Sequence, residues 1–97
     1  MRTPRFEWNP AKAQANLRKH GIGFDEAALA FKDRHSLLRA DVLHSVDEER
    51  FLLLGYSANR LLVVAHCYRS DGELIRIFSA RTATRHEIAE YEEGKNG

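Results

Sequence analysis

RLLVVAHCYRSDGELIRIFSARTATRHE, residues 60–87, contains two strands, the turn between them and the start of a helix. Arg60–Arg69 is rich in β-branched and aromatic residues and apolar on both faces, which suits a central strand. The polar SDG turn that follows is too short for a crossover, so Glu73–Ala80 is predicted to return as its antiparallel partner. Thr84-x-x-Glu87 is a capping box, which predicts a final helix running to about Glu93, before Gly94.

The same stretch carries arginines where a sheet least tolerates them. Strict alternation puts Leu74, Arg76, Phe78 and Ala80 on one face and Ile75, Ile77, Ser79 and Arg81 on the other. Arg85 falls in the first helical turn, where it opposes the helix dipole and is expected to be solvated or bound to an anion.

Working outward, Arg50–Tyr56 is a strand joined to Arg60–Arg69 by a short polar turn, with Arg50, Leu52, Leu54 and Tyr56 on one face. Ser36–Val42 is a further strand, and Thr3–Trp8 a short first one. Asn9-Pro10 is a helix start, with Asn9 as cap and Pro10 pre-shaped for the first turn. That predicts a helix over Pro10–His20, stopped by Gly21. A second helix begins at Gly23, with Glu26 placed to reach back to its N–H. Phe24, Ala27, Ala28 and Phe31 form its apolar stripe. The expected fold is α+β over residues 1–97 as one domain: two N-terminal helices and a C-terminal helix packed on one face of a small curved antiparallel sheet.

Composition excludes several function classes. Ninety-seven residues suit one domain with one thin core. Cys67 is alone, which rules out an internal disulfide and a C-x-x-C zinc pair and fits a reducing compartment. No secretory h-region opens the chain, and its longest apolar run, Leu61–Ala65, is far short of a membrane span, so a cytoplasmic location without membrane contact is expected. The histidines have no metal-ligand spacing, and neither nucleotide-binding glycine motif is present, so no metal and no cofactor is expected. The net charge of +1 hides an imbalance: residues 1–86 carry +4 and residues 87–97 carry −3. Eleven of the fifteen basic residues are arginine, whose planar fork matches phosphate.

An arginine in an apolar strand must pair, snorkel to an edge or face a cleft. Arg50, Arg76 and Arg81 are either ion-paired, Arg50 with Glu48 or Glu49, or aimed at an anion. Phe51, Tyr56, Tyr68 and Phe78 are core residues or stacking faces for single-stranded bases. His20 ends the first helix beside Lys19, and His44 lies in D-x-x-H with Asp41 in a turn, where simple exposure accounts for it.

F-E-W-N-P-x-K-A-x-x-N-x-x-K-H-G-I (6–22), F-D-E-A-x-x-x-F (24–31), D-x-x-H-x-x-x-E-E-R (41–50), L-L-V-V (61–64) and R-I-F-S-A-R-x-A-x-x-x-E-x-x-x-Y (76–91) resemble, in order and nearly end to end, the BrnT family of type II toxin–antitoxin systems. Asn9 stands where aspartate is usual, Gly23 where serine is common and Phe78 where isoleucine is usual; His66-Cys67 is atypical of its strand. The resemblance implies a RelE-like fold and a metal-independent ribonuclease that arrests translation. It also implies a BrnA-type ribbon-helix-helix antitoxin as partner, through which alone operator DNA is met. Cleavage through the 2′-hydroxyl needs a base and cations around the phosphorane. The expected site is Arg50, Arg76 and Arg81 as cations, Lys19 as a further phosphate contact, and His20, or second to it Glu49, as base. A non-catalytic RNA- or protein-binding module with the same basic face is the alternative. A purely structural subunit would have its arginines ion-paired.

Overall fold

The computed structural model describes residues 4–96. The first strand, β1, spans Arg5–Glu7; Thr3, with which it was expected to begin, lies outside the described residues. Helix α1 is Pro10–His20, as the capping residues dictate. The Asn9 side chain accepts from the N–H groups of Ala11 (2.8 Å) and Lys12 (3.1 Å), and Gly21 ends the helix at φ +71°, donating to Leu17 O. Helix α2, Phe24–Leu29, runs into a 3-10 turn at Ala30–Lys32. The expected reach of Glu26 to Gly23 gives way to a stronger tie. The Glu26 carboxylate takes a two-pronged bond from Arg60 (2.8 and 2.7 Å) and one from the Ser57 hydroxyl. Arg60 is thereby in the turn between strands, not in the strand itself.

Strand β2 is Leu37–Ala40, β3 is Phe51–Tyr56, β4 is Leu61–Arg69 and β5 is Leu74–Thr82; helix α3 follows at Arg85–Asn96. The capping box forms as expected, Glu87 N–H to Thr84 Oγ1 and Thr84 N–H to Glu87 Oε1. The helix runs through Gly94, beyond its expected end, where the missing side chain leaves room for Leu37.

The sheet order is β1-β5-β4-β3-β2. The hairpins pair antiparallel, but β1 lies parallel to β5, so the sheet is mixed and not antiparallel throughout. A three-residue strand whose partner is about seventy positions away has no turn to announce its direction.

Both faces are covered, which corrects the expectation of helices on one side. On the first face Ile22, Phe24, Ala27 and Ala30 pack on Leu53, Leu62, Val64, Ile75, Ile77 and Ala80. Each large fully buried side chain there, Phe24, Ile22, Leu62 and Ile77, contributes roughly 1.5–3 kcal/mol. On the second face Tyr91 of α3 packs with Leu54, Leu61 and Val63, flanked by Leu37, Leu52 and Ala83. A central strand apolar on both sides needs a layer on each, and only α3 remains to supply the second. Tyr91 is fixed at its far end by a 2.6 Å hydrogen bond to Asp33, whose other contact on the same oxygen is the Tyr56 N–H. Burial alone would push Asp33 up, but these donors hold its carboxyl below the usual value.

The register of β5 is broken once. Ile77 pairs with His66 and Ser79 with Ala65, leaving Phe78 as the extra residue of a β-bulge. Ala80 therefore joins Ile75 and Ile77 in the first-face core, while Arg76, Ser79 and Arg81 oppose Cys67, Ala65 and Val63 on the second face. The expected separation of Arg76 from Arg81 is overturned: the bulge puts both arginines on one side. Strand β1 stops opposite Arg76, and beyond it the edge of β5 is closed by a side chain. Buried Asn16 of α1 accepts from Ala80 N–H (3.0 Å) and donates to Ala80 O and Ile22 O (both 2.9 Å), standing in for one residue of a strand.

Candidate functional site

Arg50 leads into β3, and the loop before it is pinned. Asp41 N–H donates to Arg50 O (2.8 Å), the Ser45 hydroxyl donates to Asp41 O (2.7 Å), and Arg50 N–H donates to Ser45 Oγ (2.9 Å). This clamp sets Arg50, Asp41 and His44 around one cleft on the second face, of ≈ 390 Å³. Leu52, Ala65 and Ser79 line it from the sheet, Arg81 and Phe78 from β5, and Lys12 from α1. The bulge delivers Phe78 to this position. Its ring takes the Arg50 guanidinium 4.1 Å from the centroid and the Lys12 ammonium at 5.6 Å.

The cations are unequally compensated. Among the described residues no carboxylate pairs with Arg50 or Lys12. Arg81 is held by a bidentate bond to Glu87 at 2.8 and 2.9 Å. That bond, with the Thr84 N–H and against the effect of burial, pulls the Glu87 carboxyl down to about 2. Asp41, its side chain 13% exposed, holds His44 Nδ1 at 2.9–3.0 Å, while His44 itself is 67% exposed. The cleft therefore presents an excess of fixed positive charge beside an oriented imidazole.

Of the expected site residues, the fold brings Arg50 and Arg81 together. Lys19 and His20 line an adjoining concavity of ≈ 260 Å³ that shares Lys12, Phe78 and Ser79 with the cleft. Arg76 faces the same side but lies outside both, paired with Glu7 at 2.8 Å. Glu49 is exposed on the loop and lines neither. The ion pair considered for Arg50 is absent among the described residues: Glu48 meets Arg69 instead, at 3.3 Å. Arg85 is exposed, as expected of a cation in a first turn.

Lys12, Asp41, His44, Phe78 and Ser79 join the cleft without having been assigned to it from sequence. The D-x-x-H spacing is a legible signal for two of them; Lys12 stands in the N-P-x-K-A run, but its position on α1 gives it no role until Phe78 is placed opposite. Of the aromatic candidates only Phe78 faces this cleft; Tyr56 packs against Tyr91, and Phe51 and Tyr68 surround His66. His66 is fully buried, shares Nδ1 with Val64 O (3.0 Å) and Nε2 with the Tyr68 hydroxyl (3.1 Å), and is pushed below its ordinary value by burial. A larger concavity of ≈ 680 Å³ opens on the first face between Phe31, Leu38, Leu53, Tyr68 and Ile75. It has no comparable group of cations, so charge and not size marks the candidate site. Among the described residues no cluster of three His, Cys, Asp or Glu side chains stands ready for a metal, and no helix is long and apolar enough to cross a membrane.

A family profile described as "Ribonuclease toxin, BrnT, of type II toxin-antitoxin system" matches residues 8–87. No curated protein sequence matches the chain. Among solved structures, the chain is similar to the crystal structure of the Brucella abortus ribonuclease toxin BrnT. The TM-score is 0.66 and the identity 21%, over 86% of this chain and 100% of that one.

Proposed function

Since the chain belongs to the BrnT family of ribonuclease toxins of type II toxin–antitoxin systems, we propose that it cleaves RNA in the cytoplasm and thereby arrests translation. The observation that carries this reading is the cleft in which Arg50 and Lys12, without carboxylate partners among the described residues, share Phe78 opposite Arg81. Fixed guanidinium and ammonium groups supply the charge stabilisation that a phosphorane requires, so the proposed chemistry is metal-independent. Arg50 and Arg81 hold the scissile phosphate. Lys19 and His20 in the adjoining concavity, and Arg76 further along the same face, contact flanking nucleotides. Glu49, expected as an alternative base, stands on the loop outside the cleft, and in this reading it has no contact with the reacting phosphate.

The partner proposed is a BrnA-type ribbon-helix-helix antitoxin that neutralises the enzyme and carries the complex to operator DNA. An acidic or apolar segment of it would cover the arginine face, on a RelE-like toxin scaffold. The ion pairs of Arg76 with Glu7 and Arg81 with Glu87 favour one other reading, a module that binds RNA or protein without cutting. Purified protein incubated with RNA in the presence of a chelator separates the two. Cleavage that persists with chelator, falls by roughly 100-fold in Arg50→Ala and stops on adding antitoxin supports the toxin reading. RNA bound but left intact by the parent protein supports the module.

A further inference from the structure

We propose that His44, oriented by Asp41, is the proton acceptor of the cleavage step, in place of His20; this rests on the ribonuclease reading above. Five histidines are available, and the fold sorts them. His66 is buried and bonded at both ring nitrogens. His86 lies on the outer side of α3, 3.6 Å from Glu90. His35 sits in the turn before β2, its backbone N–H bound to Asp33, and lines neither the cleft nor the adjoining concavity, which His20 borders. Only His44 lines the cleft that also holds Arg50 and Arg81.

Its arrangement is that of a working base. Asp41 occupies Nδ1, which fixes the tautomer with the proton on that nitrogen and leaves Nε2 as the atom to accept another. Asp41 is itself immobilised: its backbone N–H and carbonyl are bound by Arg50 O and the Ser45 hydroxyl. An imidazole is the side chain whose ordinary titration is nearest neutrality, where base catalysis is most effective. In the step, Nε2 takes the proton of the ribose 2′-hydroxyl as its oxygen bonds to phosphorus. The phosphorus–O5′ bond breaks, the leaving oxygen takes a proton from water, the hydroxide left behind takes the proton from Nε2, and a 2′,3′-cyclic phosphate remains. Asp41 balances the imidazolium so formed, and Arg50 and Arg81 balance the phosphorane. The charged groups around His44 are Asp41, Arg50, Arg81 and Lys12 in the cleft, with Asp47 and Glu48 lining the concavity on its other side.

The test is single-turnover cleavage of a labelled mixed-sequence RNA oligonucleotide between pH 5 and 9, with binding measured separately on its 2′-O-methyl counterpart. His44→Ala is expected to slow cleavage about 100- to 1000-fold and to remove the acidic limb of the rate profile, with binding of the 2′-O-methyl strand within threefold of the parent. Asp41→Asn is expected to slow cleavage about tenfold or more and to displace that limb, which a merely structural role would not do. His20→Ala, which affects binding, should keep the limb. His44 is exposed, so His44→Ala should fold, and circular dichroism checks it. A His44→Ala protein that cleaves within threefold of the parent, or loss of the limb in His20→Ala alone, overturns the assignment and leaves the ribonuclease reading standing. A parent protein inert toward RNA overturns both.

Discussion

The two faces of the sheet obey the same physics and reach different ends. The first face is closed over its core: α1 and α2 cover Leu62, Val64, Ile77 and Ala80, leaving the concavity between Phe31 and Leu38 at one end, and its buried polar side chains, Asn16 and His66, are fully partnered. The second face is half closed. Helix α3 covers the end at Leu37, Leu54 and Val63 and leaves Leu52, Ala65, Ser79 and Arg81 at the floor and wall of a cleft. On the closed face the buried polar side chains have structural tasks. On the open one Arg50 and Lys12 are held by an aromatic ring and, among the described residues, by no carboxylate, so their charge is free to meet something outside the chain.

The contrast is broken most directly at Asn16. Asn16→Leu keeps the volume but orphans the N–H and carbonyl of Ala80 and the carbonyl of Ile22, so a loss of about 3 kcal/mol is expected, read as a lower urea midpoint at unchanged slope. A loss below about 1 kcal/mol would mean that the edge of β5 does not depend on it. The matching change on the open face, Arg50→Ala, should cost less than about 1 kcal/mol while abolishing most RNA cleavage.

Acid should act on both faces. His66 is depressed below its ordinary 6.5 by burial, so the unfolded chain binds a proton the folded one refuses, and stability falls as pH drops below that value. Glu87 is lowered from 4.5 to about 2, so its contribution is complete above the unfolded value and is lost as pH falls from there toward 2. Chemical denaturation across pH 2–8 should show a plateau above neutrality and two successive declines. In Glu87→Gln, expected to cost about 1–2 kcal/mol at pH 7, the lower decline should flatten and the upper one stay. The smallest effect is expected on the loop wall: Val42, Leu43 and Val46 are 78%, 86% and 84% exposed, and serine at all three should change stability by under about 0.5 kcal/mol. A larger loss would show that this loop packs in solution.

The sequence was most legible where the governing contacts are a few residues apart. The Asn9 cap, the Gly21 stop, the two hairpins and the Thr84–Glu87 box formed as read. Arg50 was found from its place among Leu52 and Leu54 on an apolar strand, a charge that needed an explanation. Phe78 and Arg81 were misplaced relative to each other because alternation presumes an unbroken ladder, and a bulge depends on what β4 presents opposite. Asn16 reads like any polar residue of a helix, since its two bonds to Ala80 reach 64 positions along the chain and only that to Ile22 is near in sequence. Lys12 stands in the N-P-x-K-A run, but its role is not legible there because it depends on which side of the sheet edge α1 rests.

By itself, then, the chain determined its helices, its strands and the residue types a phosphate would need, because caps, turns and periodicity act within a turn or two of backbone. Only the tertiary structure decided that β1 runs parallel, that α3 crosses to the second face, and that one extra residue in β5 turns Arg81 to the side of Arg50 and His44. Those outcomes depend on which distant surfaces must be buried together, and no local pattern carries that information.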